Sequence, residues 1–185
     1  KRIRSYKTDF TKLDELNQLS RYMCKELPEE EEVKRKISEI KKGKVVVFTE
    51  EVLTSAVIAA ARTSFYGGGI TEGIIAMIAG AFVAVLARYI KILAPNEMVL
   101  NFLLSFFVAA FAYISAKFGL TEDYGKIIIG NIMLLVPGVA FVNALRDMIG
   151  GDMMSGILRV CESILLAVFL AAGSFMALMF LGGVL

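Results

Sequence analysis

The hydrophobic and polar positions divide the chain into a charged amino-terminal segment and a long apolar remainder. Most of the charged side chains fall within residues 1–50, whereas residues 51–185 form apolar stretches separated by short polar connections. An apolar stretch of about 20 residues crosses the hydrocarbon core of a bilayer as a helix. The pattern therefore predicts an all-α integral membrane protein. Its five transmembrane helices are expected at Glu51–Tyr66, Ile70–Ile92, Met98–Ala116, Ile127–Leu145 and Ser163–Leu185.

The amino-terminal segment is predicted to be mostly helical and cytosolic. Thr11 is a candidate N-cap for a helix that reaches about Glu26, with leucines at a spacing of three on its apolar side. Pro28 suits the first turn of a second helix, because its missing N–H is not needed there, and Gly43 is expected to end that helix. Residues 1–7 alternate basic and less polar side chains, which predicts a short strand.

A Pro-Gly dipeptide, Pro137-Gly138, interrupts the fourth predicted span. Proline removes one backbone donor and clashes with the preceding turn, and glycine beside it lets the chain bend. In a membrane the freed backbone groups need partners in protein or in a wet cavity, so a broken helix often lines a binding site. Two interpretations remain open: the dipeptide is a packing kink, or it shapes a substrate site.

Polar residues are concentrated after this break. Asn143 and Asp147 lie four residues apart on one helix face, with Arg146 beside them, and Arg159 and Glu162 form a polar stripe on the next helix. Charged side chains near a membrane are costly and usually face a partner or a wet cavity, although interfacial anchoring is the alternative. We therefore treat Asn143, Arg146 and Arg159 as candidate carboxylate-binding residues. Asp147 and Glu162 are candidates for charge balance or proton coupling.

The first two predicted spans carry two further charges. Arg62 interrupts the first span and either points into the bundle or reaches an interface. Glu72 begins the second span, where an interfacial position is favoured over a role in transport. Small residues at a spacing near four predict a helix-packing face along the second span, made of Gly73, Ala76, Gly80 and Ala84.

Composition narrows the possible functions. Hydrophobic residues make up 57% of the chain and the mean hydropathy is +0.67, which is too apolar for an ordinary soluble domain. The net charge of +2 gives no support for a nucleic-acid partner. The absence of histidine excludes imidazole metal sites and Ser-His or Cys-His catalysis, and we expect no cofactor. A two-aspartate intramembrane protease is disfavoured because Asp147 and Asp152 both fall at predicted helix ends.

The chain resembles the threonine/serine exporter family in the run LLVPGVAFVNALRDMIGGDMMSGILRVCESILLAVFLAAGSFMAL. This run combines a Pro-Gly helix, an Asn-x-x-Arg-Asp pattern and a following Ser-Gly-x-x-Arg helix. A second stretch, SFYGGGITEGIIAMIAGAFVAVLARY, is similar to the family's glycine-rich first loop and second span. The resemblance covers essentially the whole chain and matches the amino-terminal membrane module of these transporters.

The resemblance implies a secondary exporter of small polar metabolites, foremost threonine and serine, driven by the membrane potential or a proton gradient. It also implies soluble sequence ahead of Lys1 and a second module, in the same or a separate polypeptide. Because the sequence ends at Leu185 without that module, a partner module or a homo-oligomer is expected. The other expected partners are an amino-acid or dicarboxylate substrate and membrane lipid.

Five spans place the two chain ends on opposite sides of the membrane. With the amino-terminal segment in the cytoplasm, three basic residues of the later connections fall inside and two fall outside. We therefore expect a multi-pass protein of the cell (inner) membrane with a cytoplasmic amino terminus. Two alternative functions remain: half of a two-component dicarboxylate (succinate) exporter, and a structural subunit whose polar residues only hold helices together.

Overall fold

The computed structural model describes residues 10–26, 28–42, 48–93 and 96–182, and every regular element in these ranges is an α-helix. The all-α prediction is confirmed for this part of the chain. Contacts divide the chain into two units, Lys1–Val46 and Val47–Leu185, which are described separately. The helices are α1 (Phe10–Glu26), α2 (Glu30–Lys42), α3 (Phe48–Phe65), α4 (Ile70–Leu93), α5 (Glu97–Lys117), α6 (Tyr124–Ile132), α7 (Gly138–Ile149) and α8 (Met153–Leu181).

The first unit contains the helix pair α1 and α2. Thr11 lies inside α1 rather than before it, and α2 begins two residues after Pro28. Glutamates occupy the first turn of α2, where the helix dipole favours negative charge. The strand predicted for residues 1–7 and the helix end predicted at Gly43 lie outside the described residues.

In the second unit, α3 and α4 pack antiparallel through small residues. A Cβ atom built on Gly80 would lie 2.7 Å from Ala59 Cβ and 2.9 Å from the Ser55 carbonyl oxygen, so only glycine allows this approach. About two helical turns away, Gly73 faces Ser64. The predicted packing face of α4 is confirmed, because all four of its small residues are buried: Gly73, Ala76, Gly80 and Ala84.

Helices α4, α5 and α6 share a core. Ile127 of α6 is fully buried in one cluster with Ala109 and Ala112 of α5, and a second cluster centres on Leu104 and Val108. Leu135, three residues after α6 ends, packs against this second cluster. The segment 124–136 therefore runs beside α5 from Tyr113 back to the Leu104 cluster in the middle of that helix. The predicted single span Ile127–Leu145 is divided between two helices, with the break ending at Pro137.

Helix α8 runs parallel to α5. Gly173 lies against the Phe102 carbonyl oxygen and Ser105 Oγ, and Ala177 belongs to the cluster that contains Ala109 and Ala112. Gly173 lies level with Ser105 in this register. The first residue of α5 is eight residues before Ser105, so it lies level with residue 165 of α8. Residues 153–164 of α8 therefore extend beyond α5 by about 18 Å at the helical rise. Helix α7 packs chiefly on this extension. We call residues 138–164 the α7–α8 hairpin.

Within the described residues, three helices are long and apolar enough to cross a membrane: Ile70–Lys91, Glu97–Lys117 and Met153–Leu181. The last of these begins ten residues before the predicted fifth span. Helix α3 contains 18 residues but carries two glutamates and an arginine, and α6 and α7 are short. The count of five spans therefore stays a prediction.

Candidate functional site

The turn of the α7–α8 hairpin is formed by backbone hydrogen bonds and glycine. Gly150 N–H donates to the Arg146 carbonyl oxygen at 2.9 Å, and Asp152 N–H donates to the Asp147 carbonyl oxygen at 3.0 Å. Gly151 has a φ of 97°, a conformation that favours glycine. Asp152 then caps α8, because its Oδ1 accepts a hydrogen bond from Ser155 N–H at 3.3 Å. These contacts reverse the chain within three residues.

The two helices of the hairpin approach closely at Gly156. A Cβ atom at this position would meet the Met148 side chain and would lie 2.9 Å from the Ala144 carbonyl oxygen. Ala144 is fully buried at this contact. The sequence pattern Ala-x-x-x-Met on α7 and glycine on α8 therefore sets the distance between the two helices.

An ion pair also joins the two helices. Its arginine lies about one turn after Gly156 on α8. Arg159 Nη1 lies 2.7 Å from Asp147 Oδ2, within hydrogen-bond distance. The Arg159 side chain is 45% exposed and the Asp147 side chain is 36% exposed, so the pair is accessible from outside the hairpin. A guanidinium group presents a planar set of donors that matches a carboxylate. The Arg159 guanidinium can therefore release the Asp147 carboxylate and bind the carboxylate of a ligand in its place.

The other predicted site residues lie on the same two helices as this pair. Asn143 is half-buried on the same helix as Asp147, whereas Arg146 and Glu162 are exposed. Among the described residues, no hydrogen bond or ion pair connects their side chains to Asp147.

Pro137 and Gly138 lie at the far end of α7. Gly138 is nine residues before Asp147, which corresponds to about 14 Å along the helix. Pro137 occupies the N-cap position of α7, and its carbonyl oxygen accepts the Phe141 N–H at 3.0 Å. The structure therefore places the dipeptide where the chain leaves the bundle and enters the hairpin, away from the ion pair.

Sequence reasoning missed a polar layer inside the bundle. Asn131 of α6 is fully buried, and Thr63 of α3 is fully buried against Gly130. Arg62, next to Thr63, is half-buried. The available signal was that Asn131 is the only polar side chain between Ile127 and Val136.

Glu72 connects the start of α4 to the loop between α5 and α6. Its Oε1 accepts a hydrogen bond from Thr121 Oγ1 at 2.9 Å, and Thr121 Oγ1 also accepts the Asp123 N–H at 3.1 Å. Thr121 is buried, so this loop is fixed to the end of the bundle. In the part of the chain that the structure describes, no group of acidic or cysteine side chains is arranged to hold a metal ion.

Comparison with protein families identifies the chain. The family model described as "Putative threonine/serine exporter" (ThrE) matches residues 1–181. Comparison with the curated proteins and with the solved structures gives no match. The family match confirms the resemblance seen in the glycine-rich loop and in the Pro-Gly and Arg-Asp motifs, and it agrees with helices able to cross a membrane. The chain belongs to the threonine/serine exporter family, a family of membrane transporters.

Proposed function

We propose that the chain is one module of a gradient-driven exporter of threonine and serine, with the Asp147–Arg159 pair at its substrate-binding end. The observation that carries the proposal is this accessible ion pair, which lies on a hairpin extending beyond the helix bundle. The family supplies the transport role. The proposal adds the energy source, the substrate and the residues.

Binding starts by competition for Arg159. The carboxylate of an amino acid takes the place of Asp147 on the guanidinium, which keeps the arginine charge paired throughout. Asn143 and Arg146 lie on α7, four residues and one residue before Asp147, and supply further contacts to the displaced carboxylate or to the substrate. Pro137 and Gly138 allow the hairpin to change its angle to the bundle during this exchange.

Displacement of Asp147 provides a route to coupling. A substrate that places its carboxylate on Arg159 places its ammonium group beside the displaced Asp147, and a proton competes with that ammonium group for the same carboxylate. Protonation of Asp147 at the outer face therefore releases the substrate, and loss of the proton at the cytoplasmic face restores the ion pair with Arg159, so that protons move inward as substrate moves outward. Glu162, three residues after Arg159 on α8, offers a second carboxylate for the same role.

Topology connects the hairpin to the cytoplasm. We propose five crossings made by α3, α4, α5, the broken segment of α6 and α7, and α8. With the start of α3 at the cytoplasmic face, the hairpin lies at that same face, where an exporter loads its substrate. The positive-inside tendency supports this orientation. Four basic residues lie at the proposed cytoplasmic end, namely Arg88, Lys91, Arg146 and Arg159, against three at the other end, namely Arg62, Lys117 and Lys126.

A partner module or a second copy is proposed to cover the hairpin. Lipid covers apolar surface only within the membrane, whereas the hairpin extends about 18 Å beyond the end of α5. An apolar surface of this extent outside the hydrocarbon core marks a contact with protein. Its exposed large hydrophobic residues are Val139, Phe141, Val142, Leu145, Ile149, Met153, Met154, Ile157, Leu158 and Ile164.

A dicarboxylate exporter is the second candidate function. Its support is the presence of two exposed arginines on the hairpin, Arg146 and Arg159, which provide one cation for each carboxylate of a substrate such as succinate. An amino acid needs only one of them. Efflux measurements with both amino acids and succinate therefore separate the two functions.

The test is efflux of labelled substrate from vesicles that contain the full-length protein, with and without the partner module. Vesicles are loaded with serine, threonine or succinate, and a proton gradient or a membrane potential is imposed. We expect serine and threonine efflux that depends on the gradient and is lost in Arg159→Gln. Efflux of succinate alone would establish the second candidate function. If stable protein exports none of the three substrates, the remaining interpretation is a structural subunit.

A further inference from the structure

The first observation is a shielded arginine nitrogen inside the bundle. Nη1 of Arg62 is buried and has no hydrogen-bond partner. The residue lies on α3 next to Thr63, which packs on Gly130 of α6. The register of α3 against α4 places Arg62 roughly 8 Å inside the end of the bundle opposite to the hairpin. An arginine at such depth is costly unless an anion or a wet cavity compensates its charge.

The second observation is a shielded oxygen on the neighbouring helix. Asn131 uses both of its N–H groups, donating to the Ile127 carbonyl oxygen at 3.0 Å and to the Ala76 carbonyl oxygen at 3.4 Å. Two acceptors fix the orientation of the amide, because a reversed amide would bring its oxygen against both carbonyls. The Oδ1 atom is therefore held towards Gly80, buried and without a donor.

The two groups are complementary and lie at one junction. Arg62 precedes Thr63, Thr63 contacts Gly130, and Asn131 follows Gly130, so both residues lie on the segments of α3 and α6 that meet at Gly130. One group is a cationic donor and the other is an acceptor. Buried polar groups without partners are rare in folded proteins, and two complementary ones at a single junction indicate a missing ligand.

The described part of the chain does not supply the missing anion. Glu72 lies one helical turn before Ala76 on α4, closer to the end of the bundle than Arg62. Its carboxylate is engaged by Thr121 instead. Among the described residues, no carboxylate forms an ion pair with Arg62.

We propose that the junction of α3, α4 and α6 is a second substrate site, in which Arg62 binds a carboxylate and Asn131 Oδ1 accepts a hydrogen bond from an ammonium or hydroxyl group. An amino acid with a small polar side chain carries these groups within a few ångströms of each other. The inference rests on the proposed function and adds a deeper site to it. Substrate that leaves Arg159 at the hairpin next meets Asn131 and then Arg62.

The structure holds this site in its closed form. Gly130 against Thr63 and Gly80 against Ala59 leave no room for a side chain at the junction. Helix α6 has only nine residues and is followed by the turn that ends at Pro137, so it can separate from α3 without disturbing a long helix. Separation of α6 opens the site to the substrate.

The experiment measures binding and transport by the full-length protein. Serine is added to purified protein and its stabilisation against thermal unfolding is titrated, and the KM for serine efflux is measured in vesicles. The variants are Arg62→Gln, Arg62→Lys and Asn131→Leu. Arg88→Gln is the matched control, since Arg88 is an arginine of the same unit that stacks on the Phe48 ring at 4.7 Å.

We expect Arg62→Gln and Asn131→Leu to raise the KM for serine at least tenfold at matched protein levels, whereas Arg88→Gln leaves it unchanged. Lysine keeps the positive charge but lacks the planar guanidinium group, so Arg62→Lys should give an intermediate KM. This variant remains informative if Arg62→Gln does not fold. An unchanged KM in Arg62→Lys and in the folded Arg62→Gln or Asn131→Leu protein overturns the second site while leaving the exporter proposal intact. Absence of serine efflux in the wild type refutes the exporter, and the thermal titration then decides whether Arg62 binds serine.

Discussion

Arg159 Nη1 lies 2.7 Å from Asp147 Oδ2 across the α7–α8 hairpin, although twelve residues separate the two in the chain. The turn at Gly151 and the close contact at Gly156 hold the two helices at this distance. The pair is therefore positioned by the backbone, and its side chains remain accessible to a ligand.

Loss of the ion pair is expected to affect transport far more than stability. Because both side chains are more than a third exposed, Arg159→Gln should lower the free energy of unfolding by less than about 1 kcal/mol. Efflux should fall by at least tenfold if Arg159 binds the substrate. Denaturant unfolding and vesicle efflux of the same preparations measure the two effects.

The charge-reversed double variant, Asp147→Arg with Arg159→Asp, is the control for this prediction. It retains an ion pair at the same place but moves the cation to α7. We expect normal abundance without normal efflux. Full recovery of efflux in the double variant would assign the pair a purely structural role.

Gly156 is expected to tolerate no side chain. Gly156→Ala places a Cβ atom against Met148 and the Ala144 carbonyl oxygen, and overpacking of this kind costs about 1–3 kcal/mol. Gly125→Ala is the matched control, because nothing lies within 4 Å of a Cβ atom there. Thermal unfolding should show a lower midpoint for Gly156→Ala alone. Equal midpoints would mean that α7 and α8 do not pack as described.

Thr121 is expected to stabilise the end of the bundle. Thr121→Val removes the donor to Glu72 and the acceptor for Asp123 N–H, and lost hydrogen bonds to a charged group cost about 1–3 kcal/mol. Thr71→Val, at an exposed position of α4, is the control and should be nearly neutral. Unfolding free energies measured side by side test this, and equal values would show that the Glu72 contact contributes nothing.

The contact between Glu32 and Lys36 should make a pH-dependent contribution to the stability of the first unit. The pKa of the Glu32 carboxyl is lowered because Lys36 donates a hydrogen bond to it, and the pKa of Lys36 is raised by the same contact. The stabilisation is therefore present at neutral pH. It is lost as the pH falls through the lowered pKa of Glu32, and again as the pH rises through the raised pKa of Lys36.

Carboxyl NMR of the full chain measures this contribution. Lys36→Met should return the pKa of Glu32 towards its ordinary value. Lys34→Met removes a lysine that pairs with Glu30 instead and should leave Glu32 unaffected. A pKa of Glu32 that is the same in all three proteins would exclude the Lys36 contact.

The helices of the bundle follow from local sequence patterns. The apolar runs predicted α4 and α5 within a few residues, and the glycines and alanines of α4 predicted its packing face. These features depend on residues close together in the chain. Periodicity and small side chains are therefore sufficient to find them.

The position of the Pro-Gly break was harder to predict. A helix of the length Ile127–Leu145 suggested one crossing with a kink in its middle. The chain instead leaves α6 at Ile132 and turns through Leu135, which packs on the cluster that contains Leu104, and Pro137 begins the hairpin. Only the register between helices shows this.

The sequence alone did not reveal the polar layer inside the bundle, because it too depends on the register between helices. Asn131 and Arg62 are 69 residues apart, and neither belongs to a recognisable motif. Their proximity depends on glycines at positions 80 and 130 that let α3, α4 and α6 converge. By contrast, Asp147 and Arg159 were singled out separately, and the structure added that they form one pair.

The most direct test of the exporter proposal is the rate of serine efflux from vesicles with an imposed proton gradient, compared between wild type, Arg159→Gln and Arg88→Gln at equal protein content. We expect gradient-dependent efflux in the wild type and in Arg88→Gln, and a loss of at least tenfold in Arg159→Gln. Equal efflux in all three proteins would contradict the assignment of the hairpin as the substrate-binding end.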